Sequence, residues 1–162
     1  QWDAAKLLWV NAQHLKALPD AQLAERVLPH LQAALPGVVV DERLPAICGL
    51  FKDRCDTLVA LARWIAAFYG DVQPSEADLA QHLTPAVRPA LQTLAERLAQ
   101  GEWSAAAISA VFKQVLAEHG LKMPQLAMPV RVLVMGTAQT PSVDQVLFLC
   151  GREKVLARLA KA

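Results

Sequence analysis

From Ser104 to Gly120 the chain reads as one amphipathic helix. Ile108, Val111, Phe112, Val115 and Leu116 recur at the spacing of a single helical face. Ser104 can accept a hydrogen bond from the first turn, and Gly120 can take the left-handed conformation that ends a helix. The same punctuation recurs along the chain and leaves little room for strands. Asp3 is placed to cap a helix running to about Leu18, with Leu8, Asn11, Leu15 and Leu18 on one face. Asp20 is placed to cap a second, with Leu23, Val27 and Leu31 inward and Pro36-Gly37 at its end. Further helices are expected from Asp41 to about Leu50 and from Asp56 to Tyr69, the latter on a stripe of Leu58, Leu61, Ile65 and Phe68. A short one follows from Ser75 to Leu83. Thr84-Pro85 and Thr140-Pro141 each pair a capping residue with a proline at the first helical position. Val143, Val146, Leu147 and Cys150 line a helix ending at Gly151, and Val155, Leu156 and Leu159 line a last one. Two segments have strand-like propensity, 38–40 and 130–134. A lone strand without a partner is unstable. The first is therefore expected to be a connector and the second part of a helix over 123–135. The class implied is an all-α bundle.

The chemistry the chain offers is sparse. Hydrophobic residues make up 54% and charged residues 19%, enough for a sizeable core and too apolar for disorder. No run of about 18 uncharged apolar residues predicts a membrane span. The opening Gln1-Trp2-Asp3 has neither a start methionine nor a signal-peptide pattern, so the chain is expected to be a piece of a longer, cytoplasmic one. Cys48, Cys55 and Cys150 make an odd count without a CxxC pair. Cys48 and Cys55 lie seven apart, wider than the two to four residues usual for paired zinc ligands, so buried apolar thiols are expected. His14, His30, His82 and His119 are scattered, and no phosphate-loop, dinucleotide or nucleophile-elbow pattern is present. Catalysis by this chain alone, and a metal site in it, are not expected.

Two places stand out. One is the stretch from Gly120 to Val146. A basic, proline-punctuated lead (Lys122, Pro124, Pro129, Arg131) is followed by an apolar run to Gly136. A polar loop, Thr137-Ala138-Gln139, then leads to the expected helix start at Thr140. Such a loop between two helix ends serves no packing need and reads as a recognition surface. The net charge of +1 hides a local surplus here: residues 120–162 carry six Lys/Arg against Asp144 and Glu153. Clustered positive charge is what phosphate contacts require. The other place is Arg54, in Lys52-Asp53-Arg54-Cys55-Asp56. It is either a solvated arginine paired with Asp53 or Asp56, or a planar five-donor group able to meet a base edge.

The C-terminal third resembles the corresponding region of bacterial glutamyl-tRNA synthetases. The resemblance rests on Lys122, on Pro129-Val130-Arg131, on Gly136, on Thr140-Pro141, on Gly151-Arg152-Glu153 and on the Leu156 to Leu159 segment. Lys6-Leu7-Leu8-Trp9-Val10-Asn11 and Arg54-x-Asp56-Thr57-Leu58 extend it over most of the chain. The class I catalytic signatures of that family are absent. The resemblance implies an all-helical, cage-like anticodon-binding region in two packed subdomains. The first is 1–70, including the linker from the missing catalytic part, and the second is 71–162. It implies that Arg54 reads the third anticodon base and that Thr140, Pro141 and Val143 help form the pocket for the middle base. Lys122, Arg131, Arg152 and Lys154 would contact the RNA backbone. The partner implied is glutamate tRNA, with no DNA and no membrane, bound by a monomeric parent. ATP and magnesium would belong to the missing catalytic domain, and no cofactor to this piece. Two other readings compete. One is a helical protein-interaction domain; the other is a small metal- or thiol-dependent enzyme using Cys48, Cys55 and His30.

Overall fold

A computed structural model describes residues 13–162, and the expected Asp3 cap and the Lys6–Asn11 motif lie outside them. Among the described residues the regular structure is helical throughout, with no strand. The chain divides into two compact units, Gln1–Asp71 and Val72–Ala162.

In the first unit, α1 (Asp20–Ala34), α2 (Leu44–Phe51) and α3 (Leu58–Tyr69) pack against one another. Leu23, Val27 and Leu31 of α1 are fully buried, as their spacing predicts, and so are Leu61, Ile65 and Phe68 of α3. Phe51 closes this core. Its ring stacks on Trp64 at 5.0 Å and meets Phe68 edge-on at 5.6 Å, contacts worth about 0.5–1.5 kcal/mol each beyond burial. Residues 38–40 form no strand, and Val39 stands in solvent at 85% exposure.

Two local expectations change here. Asp20 does not cap α1. Pro19 holds the cap position, and no side-chain cap bond forms. The Asp20 carboxylate is taken by Lys52 Nζ at 3.0 Å, which also reaches the Leu18 carbonyl at 3.4 Å. It lies where a Cβ on Gly49 would come within 2.5 Å, so a glycine in α2 makes room for the tie. The helix expected from Asp41 begins only at Leu44. Asp41 is engaged elsewhere: Tyr69 Oη donates to it at 2.8 Å and Arg43 Nε at 2.8 Å.

The second unit is built around α7 (Met123–Met135). It touches every other helix there: α4 (Glu76–His82), α5 (Arg88–Leu98), α6 (Ala105–His119), α8 (Val143–Cys150) and α9 (Arg152–Leu159). Leu126, Ala127, Val130, Val132, Leu133, Val134 and Met135 are all buried, the all-round apolar surface of a central helix. Valine-rich sequence with strand propensity is helical here because its neighbours cover it on every side. Ser75 and Ser104 cap as expected, accepting from the Asp78 and Ala107 amides at 3.1 Å. Gly120 ends α6 at φ +64°. His119 in that last turn meets the Thr93 hydroxyl at 3.1 Å, and Arg97 pairs with Glu118, joining α5 to α6.

Neither Thr-Pro pair is a helix cap. Thr84-Pro85 opens a turn closed by the Val87 amide on the Thr84 carbonyl at 3.2 Å, and α5 starts at Arg88 with Pro89 in its first turn. After Thr140-Pro141, α8 starts only at Val143, with Ser142 at the cap position. Ala86 and Val87 in the first place, and Ser142 in the second, turn the chain further before the helix begins.

Burial works to raise the Asp41 pKa, but the hydrogen bonds from Tyr69 and Arg43 outweigh it and hold the carboxyl below its ordinary 3.8. The ionised form is therefore favoured by folding. Its contribution is present above pH 3.8 and is lost as pH falls through the lower folded value. Asp41→Asn is expected to lower the urea midpoint at about pH 6 and to lessen the further fall between about pH 5 and about pH 3, measured by circular dichroism.

Candidate nucleic-acid interface

The loop between α7 and α8 begins at Gly136. This residue ends α7 at φ +78°, a conformation that favours glycine, and an added Cβ would sit 3.5 Å from the Val72 side chain. Gln139 is exposed, while Thr137 and Ala138 are half-buried, and the Gln139 amide bonds Thr137 Oγ1 at 3.3 Å. Thr140, Pro141 and Val143 are buried rather than displayed. The Thr140 hydroxyl donates to the Pro141 carbonyl at 2.9 Å, so its polarity is satisfied inside the loop. What the loop offers outward is its backbone with Gln139 and Ser142.

The tether of this loop lies within the Leu156 to Leu159 segment, at a residue to which the sequence assigned no role. Arg158 of α9 is only 5% exposed. Its Nη1 donates to the Val134 carbonyl at 2.6 Å and lies 3.7 Å from Cys150 Sγ. Val134 sits in the last turn of α7, where carbonyls lack intrahelical partners. One guanidinium thus joins the end of α7 to α8 and α9, the three helices that frame the loop. The signal was present: Val155, Arg158 and Leu159 share one helical face. It also corrects the charge reading, since one of the six basic residues of 120–162 lies in the core.

The other cations differ in what they offer. Lys122 is exposed at the cap position of α7, where its amide donates to Gln125 Oε1 at 2.8 Å. Arg131 is half-buried, with Nη1 3.9 Å from Met128 Sδ. Arg152 is committed to the fold: it donates to the Gly101 carbonyl and stacks over Trp103 at 5.4 Å, while Trp103 Nε1 donates to the Phe148 carbonyl at 3.2 Å. Lys154 is half-buried on α9.

In the first unit, Arg54 ends the 3-10 turn Lys52–Arg54 and is exposed. It forms no ion pair with Asp53 or Asp56, nor with any other described residue. Just beyond it, Thr57 caps α3 by accepting from the Ala60 amide at 3.1 Å. A cavity of about 390 Å³ opens beside that helix start, with His14, Arg26 and His30 on its polar side. Sequence reading gave His30 a role only in the competing enzyme reading and did not group it with Arg26, one turn away on α1.

Cys48 and Cys55 are buried, as their spacing suggested. Burial pushes the Cys48 thiol up to about 12, with Asp20 adding to it, and burial pushes Cys55 up to about 11. Such thiols stay protonated and pack as small apolar groups. Among the described residues no cluster of three His, Cys, Asp or Glu is placed to hold a metal, and no helix is long and apolar enough to cross a membrane.

Among the described residues the arrangement is all-helical, with polar loops between helix ends. More particularly, the chain belongs to the anticodon-binding domain family, whose model matches residues 22–162. It is 61% identical over 164 residues to the glutamate–tRNA ligase of Paracidovorax citrulli, covering 100% of this chain and 34% of that protein. It is 61% identical over 163 residues to that of Delftia acidovorans, covering 98% of this chain and 35% of that protein. The chain thus spans about a third of the length of these relatives. A crystal structure of a glutamate tRNA ligase from Elizabethkingia meningosepticum, in complex with its amino acid, superposes with a TM-score of 0.88. It is 22% identical and covers 98% of this chain and 32% of that one. A glutamate–tRNA synthetase from Elizabethkingia anophelis superposes with a TM-score of 0.83, also at 22% identity, over 99% of this chain and 31% of that one. The all-α expectation is met, and the fold is that of these ligases' helical part.

Replacing Arg158 by leucine leaves the Val134 carbonyl buried without its charged donor. Stability is expected to fall by about 1.5–3 kcal/mol, read from urea unfolding. Arg158→Lys is expected to recover only part of that loss, because one ammonium does not reproduce the planar fork.

Proposed function

We propose that this chain is the anticodon-binding part of a glutamate–tRNA ligase. It holds the anticodon loop of glutamate tRNA while the remainder of the enzyme, outside this chain, joins glutamate to the tRNA using ATP and magnesium. The observation that carries this reading is 61% identity along the whole chain to glutamate–tRNA ligases. The setting proposed is the cytoplasm, with a monomeric parent and subdomains at 1–70 and 71–162. A purely protein-binding role is not favoured by the family match.

In this reading Arg54 meets the third anticodon base. An exposed guanidinium with no ion pair among the described residues supports it, because the fork is free to form bidentate bonds to a base edge. The middle base is met by the loop that Thr140, Pro141 and Val143 hold in shape. Their burial means that they act by fixing its backbone. Lys122 and Arg131 contribute contacts to the RNA backbone that set register without reading sequence; from α9 Lys154 does so too, and Arg152 through the donors that do not bond Gly101.

The deciding experiment is binding of this chain to glutamate and glutamine anticodon stem-loops across a salt series. Salt-sensitive binding that prefers the glutamate loop is expected; salt-insensitive or absent binding refutes the proposal. Arg54→Ala is expected to cost about 1–3 kcal/mol with the cognate loop and to relax discrimination at one base. Equal losses for cognate and third-base-substituted loops would remove Arg54 from base reading. Lys122→Ala is expected to weaken every loop to a similar degree and to reduce the salt slope by about 1. An unchanged slope would show that Lys122 meets no phosphate.

A further inference from the structure

A second cavity, of about 340 Å³, lies in the Val72–Ala162 unit between the turn at 84–87 and the start of α7. Its physical origin is legible. Pro129 has no N–H to give to the carbonyl of Gln125 four residues earlier, so the helix wall is interrupted there. Both residues line the cavity. Val87, Leu121 and Met128 make an apolar lining, and Gln81, His82 and Thr84 bring a carboxamide, an imidazole and a hydroxyl to it. None of these three side chains is hydrogen-bonded to another described residue. The cavity size is at the lower end of the roughly 300–1,000 Å³ typical of ligand sites.

No carboxylate lines the cavity; Glu76 and Asp78 sit in the first turn of α4, one turn before Gln81 and His82. Exposed Lys122 immediately precedes the lining residues of α7, and Arg131 reaches Met128 at the other side. An apolar slot with free donors and acceptors, beside a solvated cation, matches an unpaired nucleobase still attached to its phosphate. Single-stranded RNA is bound in this way, by burying a splayed base and bonding its edge. We propose that this cavity takes one unpaired base of the bound RNA loop, with Lys122 on the adjoining phosphate. The inference rests on the anticodon-loop reading above and adds a base site that neither the Thr140 loop nor Arg54 supplies.

The test is a cycle between protein and RNA. Ala86 is exposed and lines the cavity, so Ala86→Trp fills it without disturbing the core. The unsubstituted chain, Ala86→Trp and Gln81→Ala are titrated with the glutamate anticodon stem-loop. They are also titrated with a set in which one loop base at a time is made abasic, and melting temperatures are recorded for each protein. Ala86→Trp is expected to bind the intact loop about tenfold more weakly at an unchanged melting temperature. One abasic position should weaken the unsubstituted chain by a similar factor and have little further effect on Ala86→Trp. Gln81→Ala, which adds no bulk, should show a smaller loss coupled to the same position. Unchanged affinity in both variants overturns the base site and leaves the anticodon reading standing. So does an equal loss for every RNA with no position coupled, which would mark the cavity as a surface for something other than a base. Failure of the unsubstituted chain to bind any stem-loop overturns the anticodon reading, and this inference with it.

Discussion

The Val72–Ala162 unit turns on a single buried charge. Arg158 donates to the Val134 carbonyl from a site that is only 5% exposed. A guanidinium is taken out of water at considerable cost and is tolerated only where its hydrogen bonds are good. Here it satisfies a carbonyl that the helix itself leaves without a partner. In doing so it draws α9 onto the end of α7, beside the last residue of α8. The loop from Gly136 to Ser142 is held between these three helix ends. Its shape therefore depends on a contact made by a residue sixteen positions beyond its end.

Around that contact, α7 works as both core and platform. Its apolar side chains are covered by five neighbouring helices. Its two ends are where polarity emerges. At the first, Lys122 is exposed, and Pro129 leaves a gap in the wall about two turns further on. At the second, Gly136 turns the chain through a conformation that favours glycine. The helix thus carries an exposed cation just before its first residue and a shaped loop just after its last. In the unit that ends at Asp71, Arg54 is placed by similar economy: a short 3-10 turn, tied through Lys52 to Asp20, leaves the cation two residues on facing water.

Much of this was legible residue by residue. The stripes Leu23-Val27-Leu31 and Leu61-Ile65-Phe68 named the core faces, because burial follows the 3.6-residue period. Ser75 and Ser104 named helix starts correctly, because a cap bond spans only three residues. The Thr-Pro pairs misled for a related reason. A hydroxyl followed by proline suits a turn as well as a cap, and Thr140 gave its hydrogen bond to the Pro141 carbonyl instead. Asp20 misled because a partner 32 residues away competed for its carboxylate. Of the candidate site residues, the exposed cations Arg54 and Lys122 were recognisable as such. The burial of Thr140 and Val143 and the engagement of Arg152 with Trp103 were not.

The sequence by itself determined the class: an all-α chain, the inner faces of its described helices, a buried set of thiols, and a family resemblance carried by short motifs. These are properties of local periodicity and local capping, which a few neighbouring residues decide. Only the tertiary structure decided which arginine enters the core, which cations stay in water, and where the wall of α7 opens into a cavity. Each of those depends on groups far apart in the chain competing for one carbonyl, one carboxylate or one volume of space. Such competition is resolved by packing, and no short stretch of sequence contains both contestants.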